Sequence, residues 1–218
     1  MHEDYLKWFF KENGLDREKP PPAAAQAYIH IKLLLEDVDL KEIMSEYEFQ
    51  ELPGREEALL MEKEEIDSAT TSEQLIHYMR RGADIMNQQA LVRRALDFED
   101  EIVPEIISML KTSLNDLFIE LSTRVLAVCG KDISDELAEI YDEVRDPYAK
   151  SMILVVMGFK ADETRIPWLT KKFKALKLEY PNDDHCYGAF YALAEIEQRF
   201  YEGNETFSAT QPGAILPQ

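Results

Sequence analysis

An all-α fold is what this sequence predicts: a right-handed α-solenoid of stacked antiparallel helical hairpins, preceded by a less regular helical N-terminal segment. Three observations carry the prediction. Patterns return through the second half at a spacing near thirty residues or about twice that. Val103-Pro104-x-Ile106 returns as Ile166-Pro167-x-Leu169, and Val125-Leu126-x-Val128-Cys129-Gly130 as Ile153-Leu154-x-Val156-Met157-Gly158. A fixed period of this size marks helical hairpins that bury their apolar faces only against their neighbours. Glycine is scarce, 8 in 218 residues, where an all-β chain would need many tight turns. Finally, 45% hydrophobic and 31% charged residues suit helices with one buried and one solvated face.

The elements follow in chain order. Residues 4–13 read as a short aromatic helix with Tyr5, Leu6, Trp8, Phe9 and Phe10, closed by Asn13-Gly14. Pro20-Pro21-Pro22 stops any helix and stiffens the connection. A helix over 23–37 follows, with Ala24, Tyr28, Ile31 and Leu35 on its apolar face. In the acidic stretch 38–67, Leu40, Ile43, Met44 and Tyr47 mark one helix, and Ala58, Leu59 and Ile66 another, across the turn Leu52-Pro53-Gly54.

The Ser68-Ala69-Thr70-Thr71-Ser72 cluster divides the chain into an N-terminal segment 1–70, packed on the repeats, and a repeat region 71–201. Past it, Thr71 and Gln74 have capping-box spacing, which lets a hydroxyl and an amide satisfy each other's orphan backbone donors. Leu75, Ile76 and Met79 align with Ile106, Ile107 and Leu110 at an offset of 31, and Ile107 and Leu110 with Leu137 and Ile140 at 30. These are first helices. Second helices are expected over 83–98, 116–130, 147–159 and 184–201. Asp146-Pro147 is the clearest start, with a capping carboxylate before a proline at the first helical position. Gly130 and Gly158 are read as stops.

The run Met152 to Met157 is short, apolar and partly β-branched, a pattern that a buried strand shares. Its proline-capped start and the matching run at Val125 decide for helix. In the last unit Ile166, Leu169, Phe173, Leu176 and Tyr180 face Phe190, Leu193, Ile196 and Phe200. Residues 202–218 lose periodicity, gain Gly, Asn, Ser, Thr and Pro, and read as a flexible tail.

These residues resemble HEAT repeats over 71–201. In that family a first helix opens with an apolar-Pro pair, and a second begins near Asp-Pro and ends at Gly. Asp146-Pro147-x-Ala149-Lys150 with Val156-x-Gly158 is similar to that second helix, including the basic residue that helps tie adjacent repeats. Ser122 stands where a base would match Lys150, and the unit with Arg93 and Arg94 lacks a terminal glycine. Tetratricopeptide repeats match less well, because their Trp, Gly and Tyr positions are missing. What the resemblance implies is a scaffold or adaptor that binds another protein on a solenoid surface, with no cofactor. Some HEAT-like proteins are DNA glycosylases with a tryptophan and a catalytic aspartate on a concave surface. Trp168 and Asp162 resemble those types, and the alternative reading is a HEAT-like enzyme, of lyase or DNA glycosylase type, acting on a bound ring system.

Charge narrows the partners. The formal net charge is 24 − 43 = −19. From Glu36 to Asp67 there are 13 acids against Lys41, Arg55 and Lys63, whereas 160–180 reverses the balance. Free nucleic acid needs a basic footprint, so the acidity argues against it. The expectation is a docking face for a basic partner at Glu56, Glu57, Glu64 and Glu65, with Lys171, Lys172, Lys174 and Lys177 as a second charged face for an acidic partner or for that segment itself. The bland counterpart of both is a solvated helix surface.

Acids at Glu3 and Asp4 do not fit a secretory leader, and no apolar run approaches the roughly twenty residues a bilayer needs, so a cytoplasmic location is expected. Cys129 and Cys186 lack CxxC spacing and read as buried thiols. His185-Cys186 beside Asp183 and Asp184 lacks a second ligand pair, so no metal site is assigned. His77 reads as a surface residue. No Gly-rich phosphate loop, GxSxG or HExxH is present, and no catalytic residue is assigned.

Overall fold

A computed structural model of the chain describes residues 22–38 and 54–201. Among them every regular element is helical. The first is α1, Ala23–Leu35, followed by α2, Arg55–Asp67, and α3, Ser72–Arg81. Next come α4, Ile85–Leu96, α5, Glu99–Leu110, and α6, Asp116–Val128. The last four are α7, Ser134–Ile140, α8, Pro147–Lys160, α9, Ile166–Glu179, and α10, Tyr187–Tyr201. Short 3-10 turns, Glu163–Arg165 and Asp184–Cys186, lead into α9 and α10. The expected helices over 4–13 and around Leu40 to Tyr47, and the expected tail, lie outside the described residues.

Local chemistry sets the boundaries. Thr71 and Gln74 close the capping box: Gln74 N–H donates to Thr71 Oγ1 at 3.3 Å, and Thr71 N–H donates to Gln74 Oε1 at 3.3 Å. The Asp146 carboxylate accepts from Tyr148 and Ala149 N–H, both at 3.3 Å, with Pro147 as first helical residue. Asn115 caps α6 through Phe118 N–H at 2.9 Å. Gly82 ends α3 at φ 82°, a left-handed conformation that costs glycine little.

Helices α4, α6, α8 and α10 each pack on the next, and α1 lies against α6, α8 and α10. Their shared core includes Ile31, Leu91, Phe118, Leu126, Leu154, Val156, Tyr191 and Ile196, all at most 2% exposed. α2 packs on α4, and α9 packs on α10. The run Met152 to Met157 is thus the buried middle of α8 rather than a strand.

Polar ties between elements recur near the sequence period. Gly130 N–H donates to Glu99 Oε2 at 2.9 Å across 31 residues. Lys172 Nζ meets Asp142 at 2.6 Å across 30, and Tyr148 Oη meets Glu120 at 2.8 Å across 28. Arg165 pairs with Asp135 across 30, and Lys160 Nζ donates to Cys129 O across 31. Exposed pairs of this kind contribute little each, about 0–1 kcal/mol. Their common spacing is compatible with a helical repeat.

Four expectations need correction. Gly158 does not stop α8, which continues to Lys160. It lies where a Cβ would come within 2.6 Å of Ala192 Cα, so close helix approach, not a turn, explains it. Pro104 lies inside α5, which starts at Glu99, because three acids in the first turn, Glu99, Asp100 and Glu101, stabilise the helix N-terminus ahead of it. α1 ends at Leu35, which is 53% exposed; Asp37 turns to φ 55°, and Leu33 is buried instead. Phe200 is 39% exposed rather than packed, with the Arg199 guanidinium 5.0 Å from its ring.

Candidate functional site

α2 presents the acidic residues. Gly54 at φ 79° starts it, and its inner face is narrow: Ile66 is buried, and Glu62 turns inward to accept from Asp84 N–H at 3.0 Å and Asn87 Nδ2 at 2.8 Å. Asn87, buried itself, also donates to Leu59 O at 2.9 Å. These bonds fix the rotation of α2 on α4 and send the other face outward. Glu56, Glu57, Glu64 and Glu65 are all exposed there. Between them lie Leu60, 56% exposed, and Met61, 64% exposed.

The charge order on α2 is only half favourable to the helix. Glu56 and Glu57 in the first turn complement the positive end of the macrodipole. Glu64 and Glu65 stand near the negative end, with no base in the last turn, where carboxylates cost a few tenths of a kcal/mol to about 1 each. Local relief is slight: Arg81 lies 3.5 Å from Glu65, and Lys63 meets Asp67 at 2.5 Å, both on exposed side chains.

The lysines separate. Lys171, Lys174 and Lys177 are exposed on one side of α9. Lys172 points the other way, its ammonium 4.5 Å from the Tyr141 ring centroid and 5.4 Å from that of Trp168, and bonded to Asp142. It ties α9 to the preceding unit and leaves three lysines on the exposed side. Among the described residues none of those three pairs with an acid of α2, and α2 and α9 pack on helices at opposite ends of the α4–α6–α8–α10 row.

Other candidates are placed as follows. Trp168 packs edge-on against Tyr141 at 5.3 Å. Asp162 accepts from Thr164 N–H at 2.9 Å and from its hydroxyl at 2.5 Å, bonds that hold its carboxyl below the ordinary pKa. Both therefore already serve local packing and capping. His77 is exposed, and Cys129 and Cys186 are buried. Burial pushes the Cys186 thiol upward in pKa, away from reactivity. His185 stacks edge-on against Tyr180 at 5.3 Å, and among the described residues no three His, Cys, Asp or Glu side chains converge on a metal position. No described helix is long and apolar enough to cross a membrane.

Sequence reasoning missed two buried charges. Glu195, 3% exposed, accepts from Tyr28 Oη at 2.7 Å and pairs with Lys32 at 3.1 Å, joining α10 to α1. It shares the buried face of α10 with Tyr191, Ala192 and Ile196, so helical spacing was the available signal. Arg124, 5% exposed, lies among apolar residues of α6. Comparison with protein-family models, with curated proteins and with solved structures finds no match in any of the three.

Proposed function

We propose that the chain is a non-enzymatic scaffold or adaptor: a right-handed solenoid of HEAT-like hairpins over 71–201, binding a basic amphipathic segment of another protein along α2. One observation carries the reading. The exposed side of α2 brackets Leu60 and Met61 with Glu56, Glu57, Glu64 and Glu65, although the acids at its C-terminal end oppose its own dipole. A partner helix with apolar residues between lysines or arginines would cover the two side chains and neutralise the carboxylates. Inter-element ties near thirty residues favour the repeat part of the proposal.

The test begins with capture of the partner and continues with association kinetics across a salt series. Attraction between exposed charges is screened over about 8 Å at physiological ionic strength, so association through α2 slows steeply as salt rises. Reversing Glu56, Glu57, Glu64 and Glu65 to lysine should slow association far more than reversing Glu101, Glu105, Glu136 and Glu139, four exposed acids of α5 and α7. Equal slowing by both sets would reduce the effect to net charge and remove α2 as the docking face.

A further inference from the structure

The exposed faces of α2 and α9 match in spacing as well as opposing each other in sign. On α2, Glu57, then Leu60 with Met61, then Glu64 follow at steps of three or four, with Glu56 and Glu65 beside them, all exposed. On α9, Lys171, then Lys174 with Ala175, then Leu178 repeat those steps, with Lys177 beside them, again all exposed. Residues so spaced share one face of a helix. From Glu57 to Glu64 and from Lys171 to Leu178 is the same seven-residue step, about 10 Å at 1.5 Å per residue.

Neither face is satisfied within its own chain. The bases of α2 are turned to other acids, Arg55 to Asp84 at 3.5 Å and Lys63 to Asp67 at 2.5 Å. Glu179, the one acid of α9, accepts from Tyr180 Oη at 2.9 Å. Lys171, Lys174 and Lys177 pair with no carboxylate among the described residues. Amid them Leu178 is 84% exposed, more than any other large apolar side chain among the described residues. Since α2 packs on α4 and α9 on α10, at opposite ends of the helix row, the two faces do not meet in one copy.

We infer that they meet between copies: α2 of one chain docks on α9 of the next, head to tail. Antiparallel docking brings Glu64 and Glu65, which oppose the dipole of their own helix, to the positive end of α9 and Lys171. It brings Glu56 and Glu57 to Lys177, with Leu60 and Met61 over Ala175. Because the two patches differ, each added copy leaves one α2 and one α9 open, and the contact repeats. The inference rests on α2 being a face for a basic amphipathic helix, and it makes a second copy compete with any other basic partner for that face. One helix on one helix is smaller than the roughly 1,200 Å² of a stable interface, so the assembly is weak and reversible.

The net charge of −19 opposes this contact at long range. That repulsion reaches about 30 Å at 0.01 M salt and about 8 Å at physiological ionic strength, while contact pairs lie closer than either distance. Association should therefore be strongest at intermediate salt and weaken again near 1 M, where screening over about 3 Å reaches the pairs themselves.

Sedimentation equilibrium of the full chain tests the inference. Average mass should rise with protein concentration and pass that of a dimer. Lys171, Lys174 and Lys177→Gln together should weaken association about tenfold, the sum of three exposed ion pairs, and Glu56, Glu57, Glu64 and Glu65→Gln should do at least as much. All seven side chains are exposed, so circular dichroism should show both variants folded. Each variant keeps one good face, so an equal mixture should form a one-to-one dimer and grow no further. A parent that stays monomeric or levels off at a dimer, a variant that associates like the parent, a mixture that forms no dimer, or association that strengthens steadily up to 1 M salt would each overturn the inference. A parent that stays monomeric while a captured basic partner binds through α2 would overturn this inference and leave the docking reading standing. Self-association lost in both variants, with no other partner binding α2, would support this inference and remove the adaptor reading.

Discussion

Replacing Gly188 with alanine should destabilise the chain, although alanine is the better helix former. Gly188 is the second residue of α10, and a Cβ there would lie 1.9 Å from Ser151 O and 2.7 Å from Ser151 C, both backbone atoms of α8. Real Cβ contacts essentially never fall below 3.0 Å, so the helices must separate by at least 3.0 − 1.9 = 1.1 Å at this point. A gap of that size forfeits up to about half of each dispersion contact it opens. Those contacts involve Ala189, Ala192 and Ile196, all 0% exposed. Overpacking of this kind costs about 3 kcal/mol at the upper end of its usual range, and the higher helix propensity of alanine offsets about 1 kcal/mol, for a net loss of about 2 kcal/mol. Urea unfolding with an unchanged slope is the assay. Gly130→Ala is the control: its Cβ would meet nothing closer than Glu99 Oε1 at 3.5 Å, an ordinary contact, so its stability should change little or rise. If Gly188→Ala unfolds at the same urea concentration as the parent or a higher one, the close approach of α8 and α10 is wrong.

Glu195→Ala should cost about 1 to 3 kcal/mol, because it removes the carboxylate that Tyr28 Oη and Lys32 Nζ bond, while Gln198 Oε1 stays 3.5 and 3.2 Å from them. Adding Lys32→Met should recover part of the loss, and additive losses in the double-mutant cycle would show that the pair is not coupled. Stability should also fall as pH drops from 6.5 towards 3. His30 is neutral in the folded chain with a pKa near 3, against 6.5 when unfolded. The unfolded state thus binds the extra proton across that window, at about 1.4 kcal/mol per pH unit. His30→Asn should remove that part of the slope; a variant that keeps the full slope would place His30 in water.

The regular elements were legible because local chemistry and long-range packing agree on them. Thr71 with Gln74 and Asp146 with Pro147 are read from residue types alone, and both caps form. The aligned positions Leu75, Ile106, Leu137 and Ile140 are all buried. Errors arose where one residue type serves two physical purposes. Glycine ends helices and also lets helices touch, and only a neighbouring backbone tells the two apart: Gly158 meets Ala192 in α10. Proline starts helices but is tolerated deeper when acids such as Glu99 to Glu101 support the turn before it.

Charge was legible in amount and much less in direction. Composition located the acids of α2, yet which of them face outward depends on Asp84 N–H and Asn87 capturing Glu62 from another helix. Lys172 looked like one more member of a lysine run, but two lysines in succession sit about 100° apart on a helix, and the Tyr141 and Trp168 rings take the one that turns inward. The same limit hid Arg124 and Glu195. A charged residue within an apolar stripe declares that a partner exists, while the partner's identity depends on elements far away in sequence: Tyr28 and Lys32 meet Glu195 across 167 and 163 residues. For Glu195 that partnership closes within the chain. For Arg124 it leaves Nε buried without a hydrogen-bond partner among the described residues and its counter-charge at 3.8 Å, so the two buried charges differ in how fully the fold satisfies them, a difference that no pattern within their own helices announces.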